Sequence, residues 1–154
     1  MANTYTQIYI HVVFAVQERA CVIKKEWREE LFKYIAGILR NQGIKLLAIG
    51  GVEDHIHILL ALIPKIALSE LIRDVKANSS KFINEKGFVR GKFYWQEGFG
   101  AFSYSRSQID KVAQYVLNQE QHHNNRSFKE EYTQLLRQFD VEYDDKYLFN
   151  WISE

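Results

Sequence analysis

Between Asp54 and Leu62 the chain reads as a strand in which His55 and His57 fall on one side, and Ile56, Ile58, Leu60 and Leu62 on the other. Successive side chains of a β-strand point to opposite faces, so the run predicts a strand with an apolar underside and two imidazoles facing away. A strand of this kind needs a sheet around it and helices over its apolar row. Tyr5 to Val16 offers a neighbouring strand, rich in β-branched and aromatic types, with Thr6, Ile8, Ile10, Val12 and Phe14 sharing a face. Lys45 to Ile49 reads as a third member, joined to the histidine strand through Gly50-Gly51, and Lys92 to Trp95 as a short fourth. A glycine-bearing loop, Glu97 to Gly100, then leads into Ala101 to Tyr104.

Helical periodicity fills the gaps. From about Lys24 to Gln42, Trp27, Leu31, Tyr34, Ile35, Ile38 and Leu39 form one stripe, and Gly43 can end the helix at positive φ. From Ala67 to Asn84, Leu68, Leu71, Ile72, Val75, Phe82 and Ile83 form another, which Gly87 ends. Ser107 is placed to cap a third helix, with Asp110 as its reciprocal partner and Ile109, Val112, Ala113, Val116 and Leu117 as its packing face, to about Gln121. A last helix from Ser127 carries Phe128, Tyr132, Leu135, Leu136 and Phe139.

The order predicts an α+β fold: a ferredoxin-like β-α-β-β-α-β antiparallel sheet with helices on one face. Its core spans residues 4–123 of a single 154-residue domain, and residues 124–154 form a C-terminal helical extension. The appended helices are expected to cover a sheet edge or a partner, leaving the second face free. One cysteine, Cys21, excludes an internal disulfide, no charged-then-apolar leader opens the sequence, and no apolar run spans a membrane, so a cytoplasmic protein is expected. The net charge of +1 gives no global basic signature for nucleic acid, which weakens a DNA-binding reading without excluding it. Glu130, Glu131, Asp140, Glu142, Asp144 and Asp145 cluster late, however, so the preceding body is more basic than the sum.

Two constellations carry chemistry. His55 and His57 stand close enough to share a divalent ion, with Asp54 and Glu53 beside them as turn residues or as acceptors that orient a ring. On the third helix Lys111, Tyr115, Gln119 and His122 share a stripe, Tyr115 and Gln119 being i, i+4 neighbours. Phosphodiester transfer needs a nucleophile, a cation that polarises phosphate oxygens, and ligands that leave coordination positions open. Two imidazoles and an amide oxygen meet the last need. A phenol is both a nucleophile and a good leaving group, which suits reversible strand exchange.

These residues resemble a known family. His55-Ile56-His57 is similar to the His-hydrophobic-His (HUH) motif, and Tyr115-Val116-Leu117-Asn118-Gln119 to the tyrosine-and-glutamine helix of the single-tyrosine HUH transposases of small bacterial insertion sequences. The opening strand Ile10-His11-Val12-Val13-Phe14-Ala15-Val16 and the segment Trp95 to Ser103 resemble the same family, so the likeness runs from about Thr4 to His123. It implies that His55, His57 and Gln119 bind Mg2+ or Mn2+ and that Tyr115 attacks the scissile phosphate, giving a 5′-phosphotyrosine and a free 3′-hydroxyl. It also implies a homodimer acting on single-stranded DNA hairpins. His122-His123 is a reserve ligand candidate, and His11 approaches the histidine pair if the first and third strands adjoin. For DNA contacts, Arg73, Lys76, Lys81 and Lys92 offer charge, while Phe93, Tyr94, Trp95, Phe99 and Phe102 offer stacking surfaces or core packing. Two other readings stay open: a non-cutting relative that binds structured single-stranded DNA, and a hydrolase in which the histidine pair holds zinc.

Overall fold

The period-two runs fold into one antiparallel sheet of four strands in a computed structural model that describes residues 3–123, 126–144 and 148. The strands are β1 (Tyr9–Ala15), β2 (Lys45–Gly51), β3 (His55–Ala61) and β4 (Gly100–Tyr104), in the order β2-β3-β1-β4. That is the expected ferredoxin-like arrangement, with the histidine strand and the opening strand at the centre. Between them run α1 (Lys25–Asn41) and α2 (Leu68–Lys86). Gly87 ends α2 at φ 67, a conformation that a Cβ would oppose, and its N–H returns to the Ile83 carbonyl.

Alternation decides what each face meets. Val12 and Phe14 of β1 and Ile56, Ile58 and Leu60 of β3 are buried in one core with Leu31, Ile35 and Leu39 of α1 and Leu71, Val75 and Ile83 of α2. The second face is covered too. Three further helices follow β4: α3 (Ile109–Leu117), α4 (Gln119–His123) and α5 (Phe128–Gln138). Ile109, Val112 and Val116 of α3 pack on Ala48 and Leu59, while Phe128, Tyr132, Leu135 and Leu136 of α5 pack on Val13, Ala15 and Phe102. The expectation that the appended helices cover an edge or a partner is therefore corrected. Their apolar stripes match the odd-numbered residues of β1 and β3, and they close over them.

Three local assignments also move. Lys92 to Trp95 is not the fourth strand: it meets the sheet through a single bridge, Val16 to Trp95, and the fourth strand is the later Gly100–Tyr104. Phe93 and Trp95 are instead core residues, with the Trp95 indole N–H donating to Ser79 Oγ at 2.9 Å. The turn into α3 starts at Ser105, whose backbone N–H donates to the Gln108 side chain, two residues before the expected cap. The helix expected to reach Gln121 breaks at Asn118, which separates α3 from α4. The last helix starts where expected, and Ser127 Oγ caps it by accepting from the Glu130 N–H at 3.2 Å. Among the described residues no helix is long and apolar enough to cross a membrane.

Candidate active site

Register brings the histidines together. Val13 pairs with His57 and His11 with Leu59, so His11 and His57 are diagonal neighbours on the second face. His11 Nε2 lies 2.7 Å from His57 Nδ1, with the rings stacked at 5.0 Å. His55 Nδ1 lies 2.7 Å from Asp54 Oδ1, and its ring stacks on Phe128 at 3.9 Å. Asp54 fills both roles open to it: it lies in the turn between β2 and β3 and its carboxylate holds the His55 ring. His11, His55 and His57 are all fully buried.

Tyr115 arrives on α3 because the sheet makes room for it. Gly50 pairs with His57, so a side chain there would project into the second face, where a Cβ would lie 2.0 Å from the Val116 carbonyl oxygen. Lacking one, Gly50 lets the α3 backbone settle beside His57, and the Tyr115 ring stands edge-on to that imidazole at 5.8 Å. Gln119 begins α4 and is buried. Its Nε2 donates to the Tyr115 carbonyl at 3.2 Å, while its Oε1 has no hydrogen-bond partner among the described residues.

Glu131 joins these groups, and sequence reasoning missed it. It is fully buried on α5, with Oε1 at 3.3 Å from His55 Nε2 and 3.2 Å from His57 Nε2. Its other oxygen accepts from the Tyr115 hydroxyl. Arg126, in the connection before α5, donates from Nη2 to the same hydroxyl at 3.3 Å. The signal for Glu131 was present: it lies within the stripe Phe128, Tyr132, Leu135, Leu136, where a carboxylate has no place without a partner.

Burial and charge set the proton affinities. Burial and the neighbouring His57 hold His11 down at about 3, against the opposing pull of Glu131. Burial also works against a charge on His55, yet the hydrogen bonds and charges of Asp54 and Glu131 outweigh it, and its pKa lies above the ordinary value. Tyr115 is not near its reference value. Burial, then the charge and hydrogen bond of Glu131, push it well up, while Arg126 and Gln119 pull the other way.

The donor set fits a divalent cation. His55, His57 and Glu131 each offer an atom within 4.8 Å of the others, and Gln119 Oε1 is an unsatisfied buried acceptor. The side chains of the reserve pair, His122 and His123, lie outside the described residues.

The four basic residues expected to contact DNA stand elsewhere, on or beside α2 across the sheet from the histidines. Lys76 Nζ donates to the carbonyls of Gln96 at 2.8 Å and Gly98 at 2.6 Å, and desolvation lowers its pKa to about 8. Lys81 and Lys92 line a groove of about 430 Å³ together with half-exposed Tyr94, and Arg73 lies exposed on α2. Of the aromatics, Phe93, Trp95 and Phe102 are core.

Two solved structures that share this fold are described as transposases. A crystal structure of a Deinococcus radiodurans protein assigned as a transposase matches with a TM-score of 0.62 at 18% identity, covering 74% of this chain and 92% of that one. The REP-associated tyrosine transposase, solved bound to a REP hairpin, matches with a TM-score of 0.55 at 15% identity, covering 74% of this chain and 67% of that one. Residues 4–119 match the family described as IS200-like transposases, and the chain belongs to that family. In sequence it is 24% identical over 124 residues to the transposase of insertion sequence IS200 from Salmonella typhimurium, covering 77% of this chain and 81% of that protein. It is 20% identical over 118 residues to the ISDra2 transposase TnpA of Deinococcus radiodurans, covering 73% and 84%. The matched region ends at Gln119, so Arg126 and Glu131 lie beyond it.

Proposed function

We propose that the protein cleaves and rejoins single-stranded DNA by transesterification, with Tyr115 as nucleophile. The observation that supports this most is Glu131: one of its oxygens accepts from the Tyr115 hydroxyl and the other lies against both histidine Nε2 atoms. Nucleophile and metal ligands thus share one buried cluster within a single chain.

In the forward step Tyr115 Oη forms a bond to phosphorus and the bond from phosphorus to the 3′-oxygen breaks. The phenol proton ends on the released 3′-hydroxyl, and the 5′-phosphate remains on the tyrosine. Rejoining is the same step in reverse, so bond energy is conserved. His55, His57 and Glu131 would hold Mg2+ or Mn2+, with Gln119 Oε1 as the further protein donor. When bound, the cation supplies charge neutralisation at phosphate oxygens and offsets the carboxylate that otherwise holds the proton on Tyr115. Asp54, on His55 Nδ1, fixes that ring with Nε2 turned towards Glu131, and His11 does the same for His57. Burial under α3 and α5 keeps competing water from the phosphotyrosine.

The substrate class is single-stranded DNA bearing a hairpin. The groove with Lys81, Lys92 and Tyr94 offers charge and a stacking ring for it, and Arg73 extends the charge along α2. Lys76 acts from the same side, holding the loop at Gln96 and Gly98 while adding its own charge. A homodimer belongs to the same proposal. Because one chain already holds the whole cluster, its role is to present two DNA ends rather than to complete a site.

The test uses a pool of labelled single-stranded oligonucleotides with hairpins of randomised stem and arms, incubated with Mn2+ or Mg2+. The expected product is a denaturation-resistant protein–DNA adduct that Tyr115→Phe abolishes while hairpin binding persists. Binding without adduct in the unsubstituted protein would mark a non-cutting relative. Cutting that survives Tyr115→Phe would mark a hydrolase.

A further inference from the structure

Arg126 stands where two cavities meet. One, of about 550 Å³, opens between α1, the β2–β3 turn and the start of α5, and its lining includes Lys25, Asp54 and Phe128. The other, of about 270 Å³, lies between α3 and α5, with Lys111, Tyr115 and Glu131 on its walls. Among the described residues Arg126 alone lines both. Its Nη2 donates to the Tyr115 hydroxyl at 3.3 Å, and its Nη1 donates to the Gln134 side chain, which anchors the guanidinium from α5. A strand whose scissile phosphate sits at Tyr115 needs space on both sides of that phosphate. The paired cavities provide it, and the guanidinium spans the crossing.

The geometry points to Arg126 as a further catalytic residue: its guanidinium binds a non-bridging oxygen of the scissile phosphate and stabilises negative charge on the Tyr115 oxygen. The inference rests on the transesterification reading above. A guanidinium has five donors in a fixed plane, so one nitrogen can stay on the phenol oxygen while another takes a phosphate oxygen. The Nη1 contact to Gln134 is the one a phosphate can replace, because a charged acceptor makes the stronger bond. In the forward step the phenol O–H and the P–O3′ bonds break, and the Oη–P and O3′–H bonds form. Arg126 keeps its protons throughout, and no charge or electron is left over. On rejoining, the phenol oxygen departs with its electron pair, and the same contact helps it leave. Removing a donor aimed at transition-state charge costs about 100-fold or more in rate.

The experiment compares single-turnover adduct formation at saturating oligonucleotide pool for the unsubstituted protein, Arg126→Gln, Arg126→Lys and Arg126→Ala. Hairpin affinity and melting temperature are measured beside it. Arg126→Gln is expected to slow the chemical step by about 100-fold while hairpin affinity and melting temperature stay near those of the unsubstituted protein. Arg126→Lys retains part of the rate, and free guanidinium added to Arg126→Ala restores part of it. A connection that Arg126 merely pins gives no such rescue. An unchanged rate in Arg126→Gln overturns the inference, as does a loss that vanishes at saturation or a failure of guanidinium to rescue. Tyr115→Phe, run in parallel, separates the two claims. An adduct that survives it removes the transesterification reading, whereas its loss with a normal Arg126→Gln removes only the role of Arg126.

Discussion

Replacing Gly50 by alanine tests whether the site depends on the close approach of α3 to the sheet. The added Cβ would lie 2.0 Å from the Val116 carbonyl oxygen and 3.0 Å from its carbon, both backbone atoms of a helix. A carbon approaches a carbonyl oxygen to no closer than about 3.3 Å, so α3 must retreat by roughly 1.3 Å or the strand must bend. Overpacking of this kind costs about 1–3 kcal/mol, and each kcal/mol lowers the melting temperature of a domain this size by about 2–4 °C. The adjoining Tyr115 moves with the helix. A misplacement of about 1 Å at a reacting group costs on the order of 100-fold in rate. Gly50→Ala is therefore expected to melt several degrees lower and, at temperatures where it is folded, to form adduct about 100-fold more slowly. Gly37, in the middle of α1, is the control, because a Cβ added there would meet nothing within 4 Å. Gly37→Ala should raise stability by up to about 1 kcal/mol and leave the rate alone. If Gly50→Ala melts normally, α3 does not rest on that glycine. If it melts low but reacts at full rate per folded molecule, the close approach does not position Tyr115.

Three further outcomes are expected. Asp54→Asn should weaken Mn2+ binding by about 10–100-fold through loss of the His55 orientation, measured by calorimetry, and unchanged affinity would remove Asp54 from that role. Glu131→Gln keeps the shape but not the charge, so the rise in melting temperature on adding Mn2+ should shrink strongly relative to the unsubstituted protein. For pH, His11 has its folded-state pKa near 3 against about 6.5 when unfolded, so in that window the unfolded chain binds the extra proton. Its contribution to stability is present above about pH 6.5 and is lost as pH falls towards 3, and His11→Leu should flatten that acid limb in metal-free denaturation curves. An unchanged slope would mean that His11 is not held neutral.

Most of the fold was legible because alternation fixes faces. Ile56, Ile58 and Leu60 identify the side of β3 that meets α1 and α2, and the remaining positions follow from the pleat. The fourth strand was misplaced because Lys92 to Trp95 has the aromatic look of a strand, yet Phe93 and Trp95 serve as wedges in the core. Local propensity was overridden by packing there. The second layer was not legible for a different reason. The stripes of α3 and α5 are plain in the sequence, but a stripe says that a helix packs, not on what. Only the register of β1 against β3 shows an odd-numbered row, Val13, Ala15 and Leu59, that is apolar enough to receive them.

The candidate site divides along the same line. His55, His57 and Tyr115 were found because motif spacing on a strand and a helix is enough to place them. Glu131 and Arg126 depend on where the chain returns after α4, and spacing carries no information about that. Their joint presence is nevertheless constrained by energy. A fully buried carboxylate costs several kcal/mol unless its charge is matched. His11 is held neutral and offers no charge, while the proton favoured on His55 and the Arg126 guanidinium at the Tyr115 hydroxyl both help to match it. A glutamine at 131 would fill the same space without that cost. Retaining an acid there makes physical sense where a cation displaces the His55 proton and takes Glu131 as a ligand, since metal binding to imidazole requires that proton to leave. Glu131 thus burdens the metal-free fold and would favour a loaded site, and its other oxygen accepts from the Tyr115 hydroxyl.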